Sequence, residues 1–233
     1  MNRVDNWLPS IFTFVNLSLG FISLTLIFNG QIRAALSILI LALFFDGIDG
    51  RIARKLNVSS IIGKELDSLS DYFSFGIAPA FFFVVNTPQP NAAYHIPAIA
   101  FLIFGAYHIA KYNATFLYGS SDDEFPGLPI NVAGIIVASI SYLGFFPFLL
   151  EAIIIIILGY LTITNIPYPS LKNYRPRKIV HLPIPLAVLL VLLAFPLVTF
   201  IVFSIYVIYG IANIFIDFDS LFNNLKEFKN HKV

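Results

Sequence analysis

Charge is scarce in this chain. Of its 233 residues 12% are Asp, Glu, Lys or Arg against 58% hydrophobic, and the mean hydropathy is +0.84. That balance excludes an ordinary soluble domain and demands a bilayer. Cysteine is absent, which rules out disulfides and thiol chemistry without identifying a compartment. His95, His108, His181 and His231 are scattered and make no ligand spacing, so an imidazole-bound metal is not expected. No internal repeat or low-complexity segment appears, which argues for one integral domain over 1–233. No basic leader with a small-residue cleavage site precedes the first apolar stretch, so that stretch is read as a retained helix. The N-x-[ST] triplets at Asn16, Asn57 and Asn113 sit within or beside predicted helices and are not read as glycosylation sites.

What is abundant is apolar and aromatic, with 25 Phe and 11 Tyr. Apolar stretches near 10–29, 33–53, 66–86, 95–117, 129–146, 148–165, 179–195 and 197–216 each suit a spanning helix. The expectation is an all-α integral membrane fold of about eight transmembrane helices. Pro147 and Pro196 are the only punctuation in two hairpins, which leaves seven, or six with re-entrant pieces, as alternative counts. Trp7, among polar residues before the first span, suits a short interfacial helix over 1–9. Arg51, Arg54, Lys55, Lys64, Lys111, Lys172, Arg175, Arg177, Lys178, Lys226, Lys229 and Lys232 fall on one side of an eight-span arrangement, and the opposite loops hold only Arg33. Basic residues near helix ends favour the cytoplasm, so both termini and the acidic cluster of residues 46–71 are expected there.

Four carboxylates interrupt this apolar background within a short segment: Asp46, Asp49, Asp67 and Asp71. One Asp at the centre of a membrane helix costs roughly 2.5–3.5 kcal/mol, so four facing lipid would cost on the order of 10 kcal/mol. They must face protein and, most economically, cations. Asp46, Asp49, Gly50 and Ala53 share one face of a helix, as do Ser60, Gly63, Asp67 and Asp71. Two helices meeting along these faces gather four acids, with Gly50 and Gly63 permitting close approach. Oxygen-only ligation suits Mg²⁺, Mn²⁺ or Ca²⁺. Arg54, one turn past Gly50, carries a fork suited to phosphate. Acids, cations and arginine together suggest phosphoryl displacement, with one carboxylate left to take a proton. An Asp and Arg ion-pair network that merely holds the bundle is the bland alternative.

Residues 46–71 read DGIDGRIARKLNVSSIIGKELDSLSD and match DxxDGxxARx(8)GxxxDxxxD at every fixed position. This resembles the CDP-alcohol phosphotransferase signature. The resemblance implies an integral membrane enzyme with a six-helix core, here 10–165, followed by two additional helices over 179–216. It implies two divalent cations, Mg²⁺ or Mn²⁺, held by Asp46, Asp49, Asp67 and Asp71, with Asp71 also the general base. Asp49, Gly50, Arg54, Ser60 and Gly63 are implied contacts of the CDP-lipid. Further on, YFSFGIAPA, AKYNAT, FPGLPI and NIPYPSLK resemble stretches of the phosphatidylserine synthase branch. Lys111 and Tyr112 stand where that branch has Arg-Phe, and Asn131 stands in place of the second proline of GLPxP.

The resemblance therefore implies transfer of a phosphatidyl group from CDP-diacylglycerol to L-serine, within the membrane, by a homodimer, with no nucleic-acid partner. Asn16, Lys111 and Asn113 are candidate acceptor or nucleotide contacts. The acidic loop Asp122, Asp123 and Glu124 is a weaker one, better read as solvated. The rival acceptors are glycerol 3-phosphate, inositol phosphate and choline, and the rival donor is an ether-linked CDP-lipid. A cation or substrate transporter is the alternative of a different class, since acids within membrane helices can also line ion pathways.

Overall fold

The computed structural model describes residues 8–56, 61–87, 92–117, 127–168 and 183–216. The elements are α1 (Leu8–Phe28), α2 (Ile32–Leu56), α3 (Ile61–Asp71), a π-helical segment (Tyr72–Ile77), α4 (Ala78–Asn86), α5 (His95–Leu117), α6 (Ile130–Leu143), α7 (Phe148–Ile163), α8 (Pro183–Ala194) and α9 (Pro196–Ile216), with a short 3₁₀ turn at Ala92–Tyr94. Because α3, the π segment and α4 run on without a break, the described residues form eight helical rods. The protein is an all-α integral membrane protein. Ser10–Phe28, Ile61–Asn86, Ala92–Ala114 and Pro196–Asn213 are long and apolar enough to cross a bilayer, and Ile130–Leu143 and Phe148–Ile163 are shorter apolar helices.

The third rod starts at Ile61, five residues before the apolar run at 66, because the polar turn carrying Gly63, Lys64 and Glu65 is itself helical. Hydropathy alone cannot see such a turn. The interfacial segment before Leu8, Ser60, the acidic loop 122–124 and the basic clusters at 172–178 and 226–232 lie outside the described residues.

α6 is the central post, and nearly every residue from Ala133 to Ser141 is buried. Ala133, Ile136 and Val137 join a core with Phe83, Phe101, Ile155 and Leu158. Ile135 and Ala138 face a second core built with Ile27, Leu36, Leu39, Phe75 and Phe82. Small residues let the central rods touch: a Cβ on Gly134 would collide with the backbone carbonyl of Phe75 in the π segment. Around this centre α1 packs on α2, α5 on α7, and α9 on α6. Large side chains such as Phe21, Ile103, Leu149 and Ile205 point outward, as the lipid-facing side of a membrane bundle requires.

The end of α7 is closed by its neighbours. The last carbonyls of a helix lack intrahelical partners. Here Leu128 N–H donates to Leu161 O at 3.0 Å, His108 Nδ1 meets Thr162 O at 2.7 Å, and Lys111 Nζ donates to Ile163 O at 3.2 Å and to Asn165 Oδ1 at 2.7 Å. Gly127, at φ 107°, lies so close to the Thr162 carbonyl that a side chain there would collide. The Gly-Leu-Pro run at 127–129 is thereby strapped to α7, and this sets where α6 begins.

Candidate active site

Two helices supply the acids. α2 carries Asp46 and Asp49 in its C-terminal half, and α3 carries Asp67 and Asp71 one turn apart. The facing expected from helical spacing is realised: Asp46, Asp49 and Asp67 each offer an oxygen, and these lie within 4.8 Å of one another. Asp71 is not part of that group, although all four charges feel one another. Like charges this close repel, and desolvation by the bundle aggravates the repulsion. Three hard oxygens converging in a partly buried site are a donor set that fits a divalent cation of the Mg²⁺ or Mn²⁺ kind.

Neutral donors from other helices hold the carboxylates. Thr13 Oγ1 donates to Asp49 Oδ2 at 3.0 Å. Asn16 Nδ2 donates to Asp71 Oδ1 at 3.0 Å, and Asn131 Nδ2 donates to Asp46 Oδ2 at 3.0 Å. Asn131 sits in the first turn of α6, where its own Oδ1 accepts from Val132 N–H at 2.8 Å, so its amino group is turned to the acid. The positive end of the α6 dipole arrives at the cluster with it. An oriented neutral donor leaves the charge of Asp46 available to a cation, whereas a basic side chain would neutralise it.

α1 is tied to the acidic rod by backbone as well as side chains. Ser70 Oγ donates to Thr13 O at 3.1 Å, and Ser74 Oγ donates to Asn16 O at 3.1 Å. Among the other sequence candidates, Gly50 and Gly63 lie beside the acids on α2 and α3, and the backbone of Arg54 lies on α2. Asn113 accepts from Ser68 Oγ at 2.8 Å and donates to Glu65 Oε2 at 2.8 Å, pinning α5 to α3. Lys111 is engaged at the end of α7.

Thr13 and the donor role of Asn131 are not apparent from the sequence motif. Thr13 and Asn16 are three residues apart and so share a face of α1, a signal that only becomes specific once α1 is known to abut α3. Asn131 is visible only as a departure from a proline pattern.

Comparison with known proteins agrees with this geometry. The family model for CDP-alcohol phosphatidyltransferase matches residues 6–165. An archaetidylserine synthase of Methanothermobacter thermautotrophicus is 34% identical over 168 residues, covering 71% of each chain. A CDP-diacylglycerol–serine O-phosphatidyltransferase of Helicobacter pylori is 32% identical over 230 residues, 94% of this chain and 95% of its own. A protein of the same name from Methanocaldococcus jannaschii is 34% identical over 175 residues, 75% of this chain and 81% of its own. With a matched region running from the start of α1 to the end of α7 and enclosing every acid of the site, the chain belongs to the CDP-alcohol phosphatidyltransferase family.

Proposed function

We propose that this protein transfers the phosphatidyl group of CDP-diacylglycerol to the hydroxyl of L-serine, forming phosphatidylserine and releasing CMP. The observation that carries this reading is the division of labour among the acids: three carboxylates converge within 4.8 Å, and the fourth, Asp71, is bound separately by Asn16. Asp46, Asp49 and Asp67, with Asp71 at their edge, would hold two divalent cations. When bound, such ions supply positive charge to the diphosphate and to the departing CMP.

Asp71 takes the proton of the serine hydroxyl as that oxygen forms its bond to the β-phosphorus. The bond from the β-phosphorus to the bridging oxygen breaks, and CMP leaves with that oxygen. A single in-line displacement accounts for all atoms; a trapped phosphatidyl-enzyme would overturn it. Gly50 and Gly63 permit close approach of the CDP-lipid, and Arg54 and Ser60 complete its binding. Of the acceptor-side candidates Asn16 touches Asp71 directly, whereas Lys111 and Asn113 are engaged with α7 and α3.

The reading takes 10–165 as the catalytic core, supported by the match over 6–165, with 179–216 as an addition. It places the site and both termini at the cytoplasmic face, supported by Arg51, Arg54, Lys55 and Lys64 beside the acids, and it takes the working unit as a homodimer. Because the chain lacks cysteine, single introduced cysteines and a membrane-impermeant thiol reagent test the orientation directly, and mass measurement in nanodiscs tests the dimer. An ether-linked CDP-lipid donor is the second reading, favoured by the name of the Methanothermobacter relative.

The deciding experiment is CMP release by purified protein with Mn²⁺ or Mg²⁺, comparing both donors and a panel of alcohols. Serine-dependent release that disappears in Asp71→Asn supports the proposal. Release with another alcohol would discard serine and keep the chemistry. Silence with every pair, together with liposome uptake of a cation, would point to transport instead.

A further inference from the structure

We infer that the α8–α9 hairpin clamps α2 against α6, and that Tyr168 and Gly210, its fastening, are positioning residues that keep Asn131 on Asp46. The inference rests on the ion-binding part of the transfer reading and extends it to helices beyond the family match, which ends at residue 165. α2 brings Asp46 and α6 brings Asn131, and they meet at the 3.0 Å hydrogen bond from Asn131 Nδ2 to Asp46 Oδ2. A contact between two rods stays in register only while the packing around them does. α8 packs on α2, and α9 packs on α6. Leu189 of α8 joins the core that contains Leu36 and Leu39 of α2, Val207 of α9 joins the core around Ala133 of α6, and Phe203 of α9 packs against both. The hairpin is itself closed by Thr199, whose fully buried Oγ1 donates to Leu192 O at 2.9 Å across the bend. The two added helices therefore straddle the rods whose meeting sets the donor of Asp46.

At the site end of α9 the fastening is a ring in a notch. Tyr168, 6% exposed, lies where Gly210 has no side chain, and a Cβ there would run into Cδ1 and Cε1 of the ring. Tyr206, one turn earlier on the same face of α9, stacks on that ring with centroids 5.7 Å apart. Among the described residues nothing pairs with the buried Tyr168 hydroxyl, so the seat is made by the ring. Just before Tyr168, the Ile166 carbonyl accepts from Gly127 N–H at 2.9 Å, and Asn165 Oδ1 accepts from Lys111 Nζ at 2.7 Å. Gly127 opens the strap 127–129, and α6 starts directly after Pro129, with Asn131 in its first turn. From Gly210 to Asp46 the path is thus a short run of contacts: the Tyr168 ring, the strap, the first turn of α6 and Asn131.

The test uses the full chain in nanodiscs, with equilibrium Mn²⁺ binding read by electron paramagnetic resonance without substrate and thermal unfolding of each variant alongside. Gly210→Leu fills the notch and displaces the ring, and should weaken Mn²⁺ binding about tenfold in protein that still unfolds cooperatively. Tyr168→Phe keeps the ring and should bind Mn²⁺ within about twofold of wild type. Gly210→Leu with Tyr168→Ala should regain most of the lost affinity, because the leucine occupies the volume the ring has left. A fold that is merely weakened would be weakened further by that second, large-to-small change. Gly210→Leu with Asn131→Ala should bind no more weakly than Asn131→Ala alone, the sign of one residue acting through the other. If Gly210→Leu does not fold, Gly210→Ala, whose methyl also meets the ring, carries the same cycle. Unchanged Mn²⁺ affinity in a folded Gly210 variant would overturn the inference, as would no recovery in the swapped pair or losses that multiply with Asn131→Ala. A wild type that binds no Mn²⁺ refutes the ion site and this inference with it, and one that binds Mn²⁺ but is indifferent to Gly210 refutes this inference alone. Mn²⁺ binding sensitive to Gly210 in a chain that transfers nothing would keep this inference and discard the transfer reading.

Discussion

The two ends of the bundle treat buried acid differently. At one end Asp46, Asp49 and Asp67 converge with Asp71 one turn beyond Asp67, and Thr13, Asn16 and Asn131 reach these acids from α1 and α6. At the other end Glu151, 1% exposed in the first turn of α7, accepts a hydrogen bond from Ser141 Oγ at 2.6 Å, while Asn86 donates to the Ser141 carbonyl. A lone carboxyl at the N-terminus of a helix is served by the helix dipole and one hydroxyl. Four acids on two helices cannot be served that way, because each new neighbour adds repulsion that neutral donors orient but do not cancel. The contrast separates an acid that fastens helices from acids whose mutual repulsion a bound cation would relieve.

The comparison breaks hardest at Asp71. Asp71→Asn should lower the rate of CMP release by a factor on the order of 10² to 10⁴, as loss of a general base does. Asn131→Ala should act next, by loosening Asp46. Apparent Mn²⁺ affinity, from activation curves and from direct binding, should weaken about 10- to 100-fold. Gly134→Ala tests the packing that brings the α6 end to the acids. Its methyl must displace the Phe75 carbonyl, so unfolding in detergent should show a loss of about 1–3 kcal/mol, with activity falling in parallel. The smallest effect belongs to the opposite end. Glu151→Gln keeps an acceptor for Ser141 and should leave CMP release within about twofold while costing about 1 kcal/mol of stability. A large loss of rate in this variant would erase the distinction between the two ends.

Much of this was legible before any fold was known, because it follows from local periodicity. Apolar runs of spanning length imply the rods, and acids three or four residues apart must share a helical face. The bulk of the third rod is legible from hydropathy, while its first polar turn, which the apolar stretch 66–86 leaves out, is legible only from the helical spacing of Gly63, Asp67 and Asp71. The π turn after Asp71 was hidden for another reason. Tyr72–Ile77 reads as ordinary apolar helix, and its widening goes with contacts to Gly20 and Gly134 on other rods. Lys111 is a candidate acceptor or nucleotide contact in the sequence, and its place at the carbonyl end of α7 depends on α5 and α7 lying side by side.

By itself the sequence determined the solvent, the helices and the spacing of the four acids, since charge content, run length and a period of 3.6 residues are properties of neighbouring positions. Tertiary structure alone decided which donor meets which acid: Thr13 finds Asp49 across 36 positions, Asn16 finds Asp71 across 55, and Asn131 finds Asp46 across 85. The physical reason is that a helix specifies its own faces, whereas the pairing of faces is settled by close packing between rods, here at glycines where no side chain keeps the backbones apart.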